Sequence, residues 1–189
     1  GATEEENLTD DQYATYTDAL VQLMNTFQSK GEPVECISVL QEVFMSSPLL
    51  QDECLRDFYS VMGYALSRTE DMDKAEEVTL KALTLPLHRA TPERYFRDYA
   101  YAAAVFYSNP EYQDEVIEWC HEALIQAKAC RNTSGQQWVM SMLGNLYKRN
   151  GDLNGALELY QQSLDDSRSR GDELGVLNSL SSFTDLFLY

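Results

Sequence analysis

The chain has 189 residues, of which 44% are hydrophobic, and this is enough to pack the core of one domain. Its formal net charge of −17 at pH 7 opposes binding to nucleic acid and to anionic lipid, because their phosphates would meet a surface of the same sign. No apolar run approaches the roughly 18 residues that span a bilayer. The composition therefore predicts a soluble chain without direct membrane contact, whose partner is neutral or basic.

Residues 1–9 are acidic and are predicted to form a frayed segment ahead of a single repeat domain over residues 10–189. The chain opens on Gly1-Ala2-Thr3 without an initiator Met, and no basic-then-apolar signal segment follows. This start is compatible with a signal sequence that has been trimmed away. Cytoplasm and periplasm therefore both stay open as locations.

The first predicted unit, about residues 10–48, contains two amphipathic stretches on either side of a turn at residues 30–33. In each stretch apolar residues fall at positions i, i+3, i+4 and i+7, the spacing that lines one face of a helix. The second unit, about residues 49–88, repeats this pattern around the polar turn Glu70-Asp71. Both units are therefore predicted to be helical hairpins.

The third unit, about residues 90–130, begins with Thr91-Pro92, which is typical of an N-cap followed by proline in the first helical turn. The fourth unit covers about residues 134–170 and turns at Asn150-Gly151-Asp152. The first helix of a fifth unit is predicted over residues 172–189, where we expect the array to be truncated. Corresponding positions lie close to 40 residues apart, which indicates an internal repeat.

The fourth unit carries the most specific motif of the chain. Its Met140-x₂-Leu143-Gly144-x₂-Tyr147, followed by Ala156-x₃-Tyr160, resembles the W-x₂-L-G-x₂-Y…A-x₃-F pattern of the tetratricopeptide repeat family. The resemblance implies an all-α fold, namely a right-handed superhelical solenoid of antiparallel helix pairs. The spacing resembles that of longer-repeat members. Gly144 is expected to let the two helices of its unit approach closely, with Ala156 opposite.

In this family the first helices of the hairpins line a concave surface, so the resemblance implies that a partner binds there. The row of first-helix residues beside the packing face is polar and aromatic, which suits an extended peptide. A merely solvated inner face explains the same row equally well. Acidic residues such as Asp57 and Asp98 alternate with basic ones, which disfavours a clamp of several cations around a partner's C-terminal carboxylate. The predicted binding residues are Asn25, Tyr64, Arg68, Tyr101, Trp138, Ser141, Asn145 and Lys148.

The sequence contains no recognisable catalytic or cofactor motif. His121-Glu122 lacks the second histidine of a zinc-binding HExxH motif, since Ile125 stands at that position. The four cysteines have no CxxC spacing, and Cys36 and Cys120 fall on the inward face of second helices, where a small apolar residue is expected. We therefore predict a non-enzymatic chain without a metal or a cofactor.

The function predicted from these features is that of a protein–protein interaction scaffold, which binds a peptide or protein segment in the concave groove. The alternative is a ligand- or peptide-sensing region of a larger bacterial signalling or transcription regulator whose effector domain is absent. The apolar stretch at residues 183–189 adds a third expectation. It predicts either contact with further repeats or self-association through the last helix.

Overall fold

The computed structural model of the chain describes residues 8–46 and 54–187, and all regular structure in these two ranges is helical. The all-α prediction is therefore confirmed. Besides a short 3₁₀ turn at Pro110–Tyr112, the helices are α1 (Asp10–Lys30), α2 (Pro33–Met45), α3 (Leu55–Leu66), α4 (Met72–Thr84), α5 (Pro92–Phe106), α6 (Gln113–Ala129), α7 (Thr133–Arg149), α8 (Leu153–Arg170) and α9 (Glu173–Phe187).

Short polar side chains begin several of these helices. Asp71, Asn132, Asp152 and Asp172 each accept a hydrogen bond from the backbone N–H three residues further on, at 2.9 to 3.3 Å. Each bond satisfies one of the N–H groups that the first turn of a helix leaves without an intrahelical partner. Local sequence therefore fixes where α4, α7, α8 and α9 begin.

The turns between paired helices use glycine where the backbone enters the left-handed region. Gly151 has φ of +82° in the turn between α7 and α8, and Gly171 has φ of +67° in the turn between α8 and α9. A residue with a Cβ would be strained at either position, whereas glycine adopts it freely. These short turns reverse the chain and bring consecutive helices side by side.

The close approach of paired helices depends on small residues in the first helix. A Cβ on Gly144 would overlap the ring of Tyr160 on α8, and a Cβ on Gly63 would overlap the hydroxyl of Thr79 on α4. The ring of Tyr160 therefore lies directly against Gly144. Ala156, the residue expected opposite Gly144, is fully buried on the same helix as Tyr160.

The main apolar core runs without a break from α1 to α7. Each first helix packs against its own second helix and against the first helix of the next hairpin, as α3 does with α4 and α5. A smaller apolar cluster of Ala156, Tyr160 and Leu186 then joins α8 to α9. Because neighbouring hairpins make these contacts, the first helices follow one another along one side of the protein.

Candidate binding groove

Three neighbouring cavities follow the first helices, and we call them together the first-helix groove. The first cavity, about 970 Å³, lies between α1 and α5 and reaches Asn132 at the start of α7. The middle cavity, about 480 Å³, lies among α3, α5 and α7. The third cavity, about 520 Å³, lies among α7, α8 and α9. Trp138 and Ser141 line both the middle and the third cavity, so these two adjoin.

An aromatic cluster joins the first cavity to the middle one. The rings of Tyr64 and Tyr101 are stacked with centroids 4.4 Å apart and planes inclined by only 8°. Trp138 stands edge-on to both, with its ring centroid 5.9 Å from that of Tyr64 and 6.3 Å from that of Tyr101. These are favourable aromatic geometries, and they bring together side chains from three consecutive hairpins. The cluster gives the groove a rigid apolar centre.

The predicted binding residues divide into those that line this groove and those that do not. Tyr101 is buried at the edge of the first cavity. The middle cavity is lined by five of the others: Tyr64, Arg68, Trp138, Ser141 and Asn145. Asn25 is exposed on α1 and Lys148 is half-buried on α7, and neither lines the three cavities.

A residue of α8 holds the side chain of Asn145 in place. Its side-chain oxygen accepts a hydrogen bond of 2.6 Å from the hydroxyl of Tyr160. Burial raises the pKa of Tyr160 to about 12, so this hydroxyl keeps its proton and remains a donor at neutral pH. The bond occupies the oxygen of Asn145 and leaves its NH₂ group directed elsewhere. Asn145 therefore has a structural role as well as the predicted binding one.

Two of the acidic residues that the sequence placed along the binding row are buried in an ionic cluster. Asp57 is fully buried and contacts Arg97 and Arg94, whose Nε donates to it at 3.0 Å. Asp98 is 2% exposed and accepts a hydrogen bond of 2.7 Å from Nε of Arg56. The expectation that Asp57 and Asp98 are groove charges is therefore wrong, because arginines on adjacent first helices neutralise them inside the protein.

Tyr13 ties α1 to this cluster. Its ring lies between two guanidinium groups, with the central carbons of Arg89 and Arg94 at 4.7 and 4.5 Å from the ring centroid. Its hydroxyl donates to Asp57 at 2.9 Å, and the carbonyl oxygen of His88 lies 3.2 Å from the same hydroxyl. Burial and the negative charge of Asp57 raise the pKa of Tyr13. Tyr13 thus connects α1 with α3 and with the loop before α5.

The sequence contains a pattern that indicates this buried ionic cluster. Asp18, Asp57 and Asp98 occupy corresponding positions in the first three units, with an arginine immediately before the second and third of them. Acidic residues that recur on a packing face, next to arginines, indicate buried ion pairs better than they indicate a solvated groove. Asp18 is the exception because it is exposed on α1.

Other chemically active side chains are arranged as in a structural core. Cys36 and Cys120 are buried, and burial raises their pKa values to about 11 and about 12, which keeps both thiols protonated and unreactive. Within residues 8–46 and 54–187, no three His, Cys, Asp or Glu side chains are grouped so that they could hold a metal ion. Over the same ranges, no helix has the length and apolar character needed to cross a membrane.

Comparison with known proteins gives one family match. Residues 139–174 match the tetratricopeptide repeat model, and this segment includes most of α7, all of α8 and the start of α9. No curated protein matches the chain. Tetratricopeptide repeats are typical of protein–protein interaction scaffolds and typically lack catalytic activity. Residues 139–174 therefore form a tetratricopeptide repeat, within described ranges whose regular structure is all helical.

Proposed function

We propose that the chain is an interaction scaffold that binds an extended peptide segment of a protein partner in the first-helix groove. The observation that carries this proposal is the aromatic cluster of Tyr64, Tyr101 and Trp138, which joins the first cavity to the middle one and, through Trp138, borders the third. Aromatic side chains offer a large apolar area at a low entropic cost, and they are enriched among the residues that dominate binding energy. A peptide that follows the groove would cross this cluster.

The charge of the protein favours a neutral or basic partner segment. The net charge is −17, and part of the basic complement, Arg56, Arg94 and Arg97, is already paired with Asp57 and Asp98 inside the protein. An acidic segment would approach against the field of the whole molecule, whereas a basic one would be attracted. Weaker binding at higher ionic strength is therefore expected for a basic segment.

Substitution of Trp138 tests the proposal. A random dodecapeptide library is selected on the full chain, and the affinity of the selected peptides is then measured by calorimetry. We expect Trp138→Ala to weaken binding about thirtyfold, because loss of a central aromatic residue typically costs about 2 kcal/mol. Trp119→Ala is the matched control. Trp119 lies on α6 and is also half-buried, but it packs against Phe106 and Tyr112 and not in the aromatic cluster of the groove.

Two results would oppose this function. The first is that the library yields no peptide that binds the full chain in solution. The second is that Trp119→Ala and Trp138→Ala weaken the selected peptides equally while both variants remain folded by circular dichroism. In that case the peptides do not bind over the aromatic cluster.

The last helix offers a second surface, which shares Leu174 with the third cavity of the groove. Leu174, Leu177 and Leu180 are exposed on α9 at intervals of three residues, which places them along one side of the helix. We propose that this side contacts a second copy of the chain. Burying this leucine side between two copies would remove apolar area from water, and that gain would have to offset the repulsion between two copies of −17.

A further inference from the structure

The third cavity of the groove is lined entirely by side chains without a formal charge. Charged residues make up 24% of the chain, so a lining of a dozen residues without one is a distinctive surface. Most of its members carry a hydroxyl or an amide. They are Ser134, Gln137, Trp138, Ser141, Tyr160, Ser163, Leu174, Gly175, Asn178, Ser179, Ser181 and Ser182.

The polar groups of this cavity fall into a bonded floor and an open rim. On the floor, the hydroxyls of Ser163 and Ser179 are 3.0 Å apart, and Ser179 also donates to the carbonyl of Gly175 at 2.9 Å. On the rim, within the part of the chain that the structure describes, four side chains make no hydrogen bond. They are Ser134, Ser141, Asn178 and Ser181. Each can both donate and accept a hydrogen bond.

The opposite end of the groove, the first cavity, is lined by many charged side chains. The first cavity is lined by three acidic residues, Asp10, Asp18 and Glu93, and by three arginines. Two of those arginines, Arg94 and Arg97, are engaged with the buried Asp57. The groove therefore changes along its length from a charged end, past the aromatic cluster, to an uncharged end rich in hydroxyl groups.

We infer that the third cavity selects an uncharged stretch of the bound segment, rich in serine, threonine, asparagine or glutamine, and rejects charged side chains. This inference rests on the proposed function. A charged side chain entering the cavity would lose hydration without meeting an opposite charge on a lining residue, and the nearby carboxylate of Asp172 already accepts hydrogen bonds from Gln137 and Gly175. A hydroxyl or amide side chain, or the peptide backbone itself, would instead exchange hydrogen bonds with the rim residues.

A charge scan of a selected peptide tests this inference. In the tightest dodecapeptide from the library, each position is replaced in turn by lysine and by glutamate, and binding to the full chain is measured. We expect a run of positions at one end where either charge weakens binding about tenfold or more. Ser181→Asp adds a carboxylate to the rim. It should then raise the affinity for the peptides with lysine at those positions about tenfold.

Ser169→Asp is the matched control, because Ser169 is exposed on α8 outside the groove and the change in net charge is the same. Equal effects of the two variants, or tolerance of both charges at every peptide position, would overturn the inference. Failure of this inference can be told apart from failure of the proposed peptide binding. If Trp138→Ala still weakens the peptide while the charge scan is flat, the groove binds peptides but the third cavity does not select them.

Discussion

Gly144 shows how one residue sets the distance between two helices. The position faces the ring of Tyr160, which is 2% exposed and is held by its hydrogen bond to Asn145. A methyl group there has no free space, and the ring cannot swing aside without breaking that bond. In interiors packed as densely as crystals, even one added carbon forces neighbouring atoms to move.

We predict that Gly144→Ala destabilises the protein although alanine favours the helix. The propensity of alanine would raise the free energy of unfolding by about 1 kcal/mol, whereas overpacking against Tyr160 costs about 1–3 kcal/mol. A net loss of about 1 kcal/mol should appear in urea unfolding followed by circular dichroism. A variant more stable than wild type by the full propensity gain would show that the two helices are not in tight contact here.

At the scale of the helix, the ionic cluster fastens the beginnings of α1, α3 and α5 together. Asp57 contributes the central carboxylate, since Tyr13 from α1 and both Arg94 and Arg97 from α5 contact it. These polar contacts therefore help to fix the relative position of the three helix beginnings. Removing one charge from a buried network leaves its partners desolvated without compensation.

We predict that Asp57→Asn lowers the free energy of unfolding by about 3 kcal/mol, because Arg94 would stay buried without a counter-charge and Arg97 would keep only Asp98, 3.8 Å away. Asp18→Asn is the matched control. Asp18 occupies the corresponding position of the first unit but is exposed, so its change should stay within about 0.5 kcal/mol. Urea titration of both variants measures the difference, and similar losses in the two would contradict a buried role for Asp57.

A comparison of corresponding positions in successive units shows how far the sequence could predict the structure. The apolar spacing and the Asx and glycine residues at the turns are local signals, and they correctly indicated paired helices and the repeat at Gly144. Burial of Asp57 did not follow from its repeat position, since Asp18 stands at the same position of the first unit and is exposed. Which of the two is covered depends on the neighbouring hairpin, and the local sign of the difference is the arginine that precedes Asp57 but not Asp18.

The groove was predictable to a similar extent. Helical register alone put Tyr64, Tyr101 and Trp138 in one row of first-helix residues, and in the structure their rings are in contact. Their role in binding stays a prediction. Asn25 and Lys148 lie in the same register and still miss the cavities. Their distance from the groove follows from the angles between helices, and these depend on tertiary packing.

At the scale of the whole molecule, electrostatic repulsion and the leucine side of α9 have opposite effects on self-association. A net charge of −17 keeps copies apart, while burial of Leu174, Leu177 and Leu180 between two copies would remove apolar area from water. Repulsion is long-ranged and is screened by salt, whereas apolar burial is short-ranged and is not weakened by it. The balance therefore depends on ionic strength in a definite direction.

We predict that the chain self-associates more strongly at about 0.5 M salt than at about 0.05 M, because the screening length falls from over 10 Å to about 4 Å while the apolar contact persists. Multi-angle light scattering over a range of protein concentrations measures the change. Leu177→Lys should abolish it, because Leu177 is 63% exposed and the new charge would be buried at the contact. Leu153→Lys is the control, since Leu153 is 52% exposed at the start of α8. Association that weakens with salt, or that Leu153→Lys abolishes equally, would exclude the leucine side of α9 as the contact between copies.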